Sequence, residues 1–138
     1  MRKINRIVVH CSATPPDLDV GVYEIDHWHR ERGFNSIGYH EIIRRNGFLE
    51  MGRPLKTIGA HVKGYNEDSI GICMIGGVDK NNKPESNFTA AQWDTLKKEL
   101  KYFKALYPHA IIQGHNELDS GKACPSFDVQ EWLTTAGI

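Results

Sequence analysis

Residues 4–10 alternate, with Ile7 and Val9 on one face and Val8 and His10 on the other. That period of two predicts a β-strand. Pro15 and Pro16 break it. From about residue 20 to 32 the period lengthens. Val22, Ile25 and Trp28 recur at spacing three, and Gly33 stands where a helix would stop. Residues 39–45 and 48–51 flank Asn46-Gly47, which predicts a two-residue hairpin turn. Residues 70–75 form a short apolar run among glycines, the pattern of a buried central strand, and Gly76-Gly77 ends it.

Two later helices carry their own start signals. Thr89 is a good N-cap, and Gln92 three residues on completes a capping box. Phe88 can pack on Trp93 as a hydrophobic staple. Trp93, Leu96, Leu100, Phe103 and Tyr107 then form one apolar stripe, with lysines opposite and Pro108 as the stop. Residues 110–113 read as a short strand. The device repeats at Asp128, with Glu131 three residues on and Phe127 opposite Trp132. Strands and helices interleave, so the expected class is α/β, a sheet flanked by α-helices in a single domain over residues 1–138. The hairpin makes that sheet mixed. A site is expected in a groove at the strand ends.

Composition narrows the function. The 138 residues carry 17 Lys+Arg against 17 Asp+Glu. This balance argues against a nucleic-acid partner, which usually draws a basic excess. An apolar fraction of 40% excludes a disordered chain. The 3 cysteines cannot all pair, so a metal role or a reducing compartment is the better expectation. No stretch reaches the ~20 apolar residues of a membrane span. The N-terminal apolar run, Ile7 to Val9, is too short for a signal peptide, so synthesis in the cytoplasm without a leader is expected.

His10 ends the first strand, His115 follows the short strand near residue 112, and Cys124 lies nine residues later. Strand ends in an α/β sheet share a crevice. Two imidazoles and a thiolate would make a three-ligand zinc set with a fourth position for water. Spacing alone leaves this open, because each histidine could equally be a hydrogen-bonded or surface residue. His27 and His29 read as structural. Cys11 should face away from His10 and pack in the interior. Cys73 should pack as a small hydrophobe.

The ordered motifs say more. They are Val8-Val9-His10-Cys11-Ser12-Ala13-Thr14, Ile37-Gly38-Tyr39-His40 and Gly59-Ala60-His61-Val62-Lys63-Gly64-Tyr65-Asn66. Then come Ser69-Ile70-Gly71-Ile72-Cys73, Asn87-Phe88-Thr89, Gly114-His115-Asn116-Glu117 and Lys122-Ala123-Cys124-Pro125-Ser126-Phe127-Asp128. Together the sequence resembles the zinc-dependent N-acetylmuramoyl-L-alanine amidases, the family of small phage amidases and peptidoglycan recognition proteins. The resemblance runs from about residue 5 to 133.

It implies one zinc ion held by His10, His115 and Cys124, with Tyr39 and Lys122 completing the catalytic centre. The implied substrate is peptidoglycan or a muropeptide, cut at the amide between N-acetylmuramic acid and L-alanine. Tyr39 would help move the proton of the attacking water, and Lys122 would face the oxyanion. His61, in a glycine-rich loop, is expected to contact substrate. His40 should face away from Tyr39. Two departures stand out. Glu41 replaces an apolar residue, implying a changed local surface, and one residue is inserted within 118–121, just before Lys122. The chain is expected to act as a monomer on the cell wall, reached by a route other than a signal peptide. A muropeptide-binding module without catalysis is the alternative. The presence of Cys124 favours the enzyme.

Overall fold

The structure, a computed structural model, describes residues 2–138. Its strands are β1 (Arg6–Cys11), β2 (Glu41–Ile43), β3 (Leu49–Met51), β4 (Ser69–Met74) and β5 (Ile111–Gly114). Its helices are α1 (Val22–Glu31), α2 (Ala90–Leu106), α3 (His115–Leu118) and α4 (Val129–Ala136). A single 3-10 turn, Asn66–Asp68, leads into β4. The sheet order is β3-β2-β4-β1-β5. β1 pairs in parallel with β4 and β5, β2 is parallel to β4, and only β3 runs antiparallel. The sheet is therefore mixed, as the hairpin predicts.

The alternation in β1 sorts chemistry from packing. Ile7, Val9, Ile70, Ile72 and Met74 face α2 and α4, where Leu96, Leu100, Phe103, Val129 and Leu133 close a dry core. The other face carries Ile42 and Cys73 against Ile25, Val20 and Ile37 of the α1 layer. His10 pairs in register with Cys73, and Val8 with Gly71. These residues lie on the α1 side of the sheet.

The helix signals translate directly. Thr89 Oγ1 accepts the Gln92 N–H at 3.1 Å, and the Gln92 side chain accepts the Thr89 N–H at 2.9 Å. The Phe88 and Trp93 rings meet edge to face at 5.4 Å. Asp128 caps α4 by accepting the Glu131 N–H at 3.1 Å. α1 differs in one respect. Its buried positions are Ile25 and His29, four apart, while Trp28 lies at the surface at 37% exposure. The stripe follows the helical i, i+4 spacing rather than the run of threes.

The hairpin turn also differs. The Arg44 N–H donates to Phe48 O, the Gly47 N–H donates to Arg44 O, and Gly47 alone carries a positive φ, 86°. This is a three-residue loop, a type I turn closed by a left-handed glycine, not a two-residue turn. Asn46 Oδ1 accepts the Phe48 N–H instead of adopting the left-handed conformation itself.

Candidate metal centre and groove

β1 and β5 are neighbours that run the same way, with Val9 paired to Gly114. Their C-terminal ends therefore set His10 beside His115, whose ring centroids lie 4.7 Å apart. Gly114 is the N-cap of α3, so the chain turns at the ring that ligation would use. The Asn116 N–H donates to Cys124 O at 2.8 Å, folding the 119–124 loop back over the strand ends. Cys124 Sγ then lies 3.7 Å from His10 Nδ1 and accepts the Cys11 backbone N–H at 3.2 Å. One donor atom from each of His10, His115 and Cys124 falls within 4.8 Å of the others.

The donor set fits a single metal ion. Zinc ligated tetrahedrally by nitrogen and sulfur separates those atoms by about 3.5 Å. Two imidazoles and a thiolate are the donors that zinc favours over magnesium or calcium. Burial and the neighbouring His61 and His115 rings hold His10 well below the usual imidazole range, so it offers a lone pair. The Cys11 side-chain thiol beside it and burial push the Cys124 thiol up, against the smaller downward pull of the Cys11 backbone N–H. A cation at Sγ works against both by favouring the thiolate.

A cavity of about 450 Å³ meets this cluster at His115 and is lined besides by Phe34, Ala60, His61, Asn66 and Asp119, with Arg32, Lys63 and Lys122 as cations. Its cations outnumber its acids. A smaller recess of about 140 Å³, which shares Arg32 with it, is lined by Ser12, Ile25, Trp28, His29 and Tyr39. Tyr39 packs on His10 with ring centroids 5.1 Å apart. Desolvation first, then the thiols of Cys73, Cys124 and Cys11, raises its phenol well above its ordinary value near 10. It is a neutral hydrogen-bonding group at this site. Lys122 reaches the cavity from the exposed loop, close enough to His115 to lower the His115 pKa after desolvation.

The remaining histidines are in the interior or on the surface. His40 is fully buried, accepts the Gly71 N–H at Nδ1 and donates to Thr57 O from Nε2. His29 Nδ1 accepts the Gly38 N–H. His61 is 8% exposed. Its Nδ1 lies 2.8 Å from His10 Nε2 and its Nε2 lies 3.1 Å from Ser69 Oγ. Its ring edge lines the cavity, but both nitrogens point inward. Glu41 is a correction to the expected surface change. It is 3% exposed, under α2, and its Oε1 has no hydrogen-bond partner; desolvation first, then the neighbouring Glu99, raises its carboxyl to about 9.

Sequence reasoning missed the cationic groove residues Arg32 and Lys63, the inward link from His61, and the Cys11 amide at Cys124. The last is a backbone group and carries no residue-type signal. Gly71, inside a buried strand, was a signal for a close approach.

Three comparisons place the chain among known proteins. The Amidase_2 family model, described as N-acetylmuramoyl-L-alanine amidase, matches residues 1–127. The endolysin of Enterobacteria phage K11 is 47% identical over 137 residues, covering 99% of this chain and 90% of that protein. The endolysin of Escherichia phage T7 is 48% identical over 126 residues, covering 91% and 83%. Among solved structures, the N-acetylmuramoyl-L-alanine amidase LysC from Clostridium intestinale URNW superposes with a TM-score of 0.84 at 27% identity, covering 99% of this chain and 87% of that one.

Proposed function

The chain belongs to the N-acetylmuramoyl-L-alanine amidase family, and from that premise we propose that it cleaves the amide between N-acetylmuramic acid and L-alanine in peptidoglycan as a zinc enzyme. The observation that carries this reading is the convergence of one donor atom each from His10, His115 and Cys124 within 4.8 Å, with His115 also lining a groove whose cations outnumber its acids. The three residues would hold one zinc ion. When bound, zinc lowers the pKa of water toward ~7 and polarises an amide carbonyl.

The chain's own groups supply the rest. Arg32, Lys63 and Lys122 draw a stem peptide by its carboxylates and hold it along the groove. Tyr39, kept as a neutral phenol, hydrogen-bonds at the reacting centre and passes a proton there without becoming a persistent anion. Lys122 sets a cation against the oxyanion of the tetrahedral intermediate.

The endolysin relatives support action on the cell wall as the setting. No helix among the described residues is long and apolar enough to cross a membrane. The test is digestion of purified peptidoglycan by zinc-loaded protein, with products read by mass spectrometry. Stem peptides with a free L-alanine amino terminus are expected. Sedimentation with the wall but no product would replace the enzyme with a muropeptide-binding module.

A further inference from the structure

Resting on the metal reading above, we propose that His61 is a positioning residue that fixes His10 for ligation through a one-way hydrogen-bond chain ending on Ser69. His10 presents Nδ1 to Cys124 at 3.7 Å and Nε2 to His61 Nδ1 at 2.8 Å. Nε2 is thus blocked by His61, and Nδ1 is the ring's free donor toward the cluster. A ligating Nδ1 carries no proton, so the His10 proton sits on Nε2 and is donated to His61 Nδ1. His61 then carries its own proton on Nε2 and donates it to Ser69 Oγ at 3.1 Å. Each ring can hold only one tautomer while the metal is bound.

The scaffold is built to keep the His61 ring there. A Cβ on Gly71 would lie 2.5 Å from His61 Cγ and 2.7 Å from Nδ1, and one on Gly59 would lie 2.7 Å from Cδ2. Both positions leave room only because they are glycine. From the loop side, Asn66 Oδ1 accepts the N–H groups of both His61 and Val62 at 2.9 Å. Ser69 is fully buried, so the far end of the chain does not wander.

An imidazole acceptor also suits the chemistry. A hydrogen bond accepted from a ligating histidine's other ring N–H orients the ring and raises its basicity. A carboxylate in that place would add a negative charge. A neutral ring leaves the dication and one thiolate with a surplus of about one positive charge for a developing oxyanion.

The experiment measures zinc affinity by competition with a chromogenic chelator, and the absorption spectrum of the Co²⁺-substituted protein, for wild type, His61→Ala and His61→Asn. Melting of the metal-free forms is recorded beside them. Asparagine returns an acceptor near the Nδ1 position. His61→Ala is expected to bind zinc about 10- to 100-fold more weakly, with a shifted Co²⁺ spectrum. His61→Asn is expected to recover most of that affinity although its metal-free form melts no higher. His61→Gln, which keeps bulk but displaces the acceptor, should resemble alanine and serves if alanine does not fold. Wild-type affinity in His61→Ala or His61→Gln, or His61→Asn no tighter than they are, overturns the link alone. A wild-type protein that binds no zinc overturns the metal reading and the link with it.

Discussion

Cys124 Sγ and His10 Nδ1 stand 3.7 Å apart although 114 positions separate them in the chain. The parallel pairing of β1 with β5 and the folded-back loop before Cys124 create that proximity, and the Cys11 amide steadies the sulfur. Cys124→Ser keeps the size of the side chain but replaces a soft donor with a weak one. Bound zinc per chain should fall well below one equivalent, and peptidoglycan hydrolysis should fall with it. Metal analysis after gel filtration, paired with the product assay, checks both.

Tyr39 packs on His10 without being a metal donor. Tyr39→Phe should therefore lower kcat by about 10²-fold or more, the scale of a lost proton-transfer group, while zinc content stays at the wild-type value. Equal turnover in the two proteins would remove Tyr39 from the chemistry.

Lys122 is exposed, yet it lines the same cavity as His115. Lys122→Ala should cost about 10²-fold in kcat, the size of losing one oxyanion donor, with a smaller change in KM. Lys122→Arg should restore part of kcat. A loss confined to KM would assign Lys122 to substrate binding instead.

The buried carboxyl of Glu41 gives the fold a pH dependence. Its folded value near 9 lies above the ordinary value of 4.5, so the folded state holds a proton that the unfolded chain releases. Stability is full below about 4.5 and declines as pH rises toward 9, by about 1.4 kcal/mol per pH unit. His40 acts in the opposite sense. Burial lowers it to about 4 from 6.5, so its contribution is full above 6.5 and fades as pH falls. Above pH 7 the Glu41 slope alone remains of these two. Melting temperatures at pH 7 and 9 should fall in wild type and change little in Glu41→Gln; an equal fall in both would dismiss the Glu41 account.

Much of this was legible in the chain. The caps at Thr89 and Asp128 are local contests between a side chain and the first free amides of a helix, and residue type decides them. The alternation in β1 assigns faces because a strand has period two, which put Cys11 with Ile7 and Val9 in the core and His10 on the opposite face. The meeting of His10, His115 and Cys124 was suggested by their places at or after strand ends and strengthened by family resemblance, since parallel pairing of strands a hundred residues apart leaves no local trace. The inward turn of His61 was not legible either. A glycine-rich loop suggests an open lining, but the space left by Gly71 and Gly59 draws the ring into the sheet instead. Glu41 was misplaced for a related reason. Its neighbour Glu99 comes from α2 and is half-buried, and the burial of Glu41 is written in tertiary contact, not in sequence spacing.

On the function proposed above, a zinc ion that His10, His115 and Cys124 would hold is what hydrolysis requires. Chelator-stripped protein should be titrated with zinc while amide cleavage of a defined muropeptide is followed. Activity is predicted to start near zero, rise linearly and plateau at one zinc per chain. Stripped protein that cleaves at the full rate, or cleavage that never appears at any zinc ratio, would contradict it.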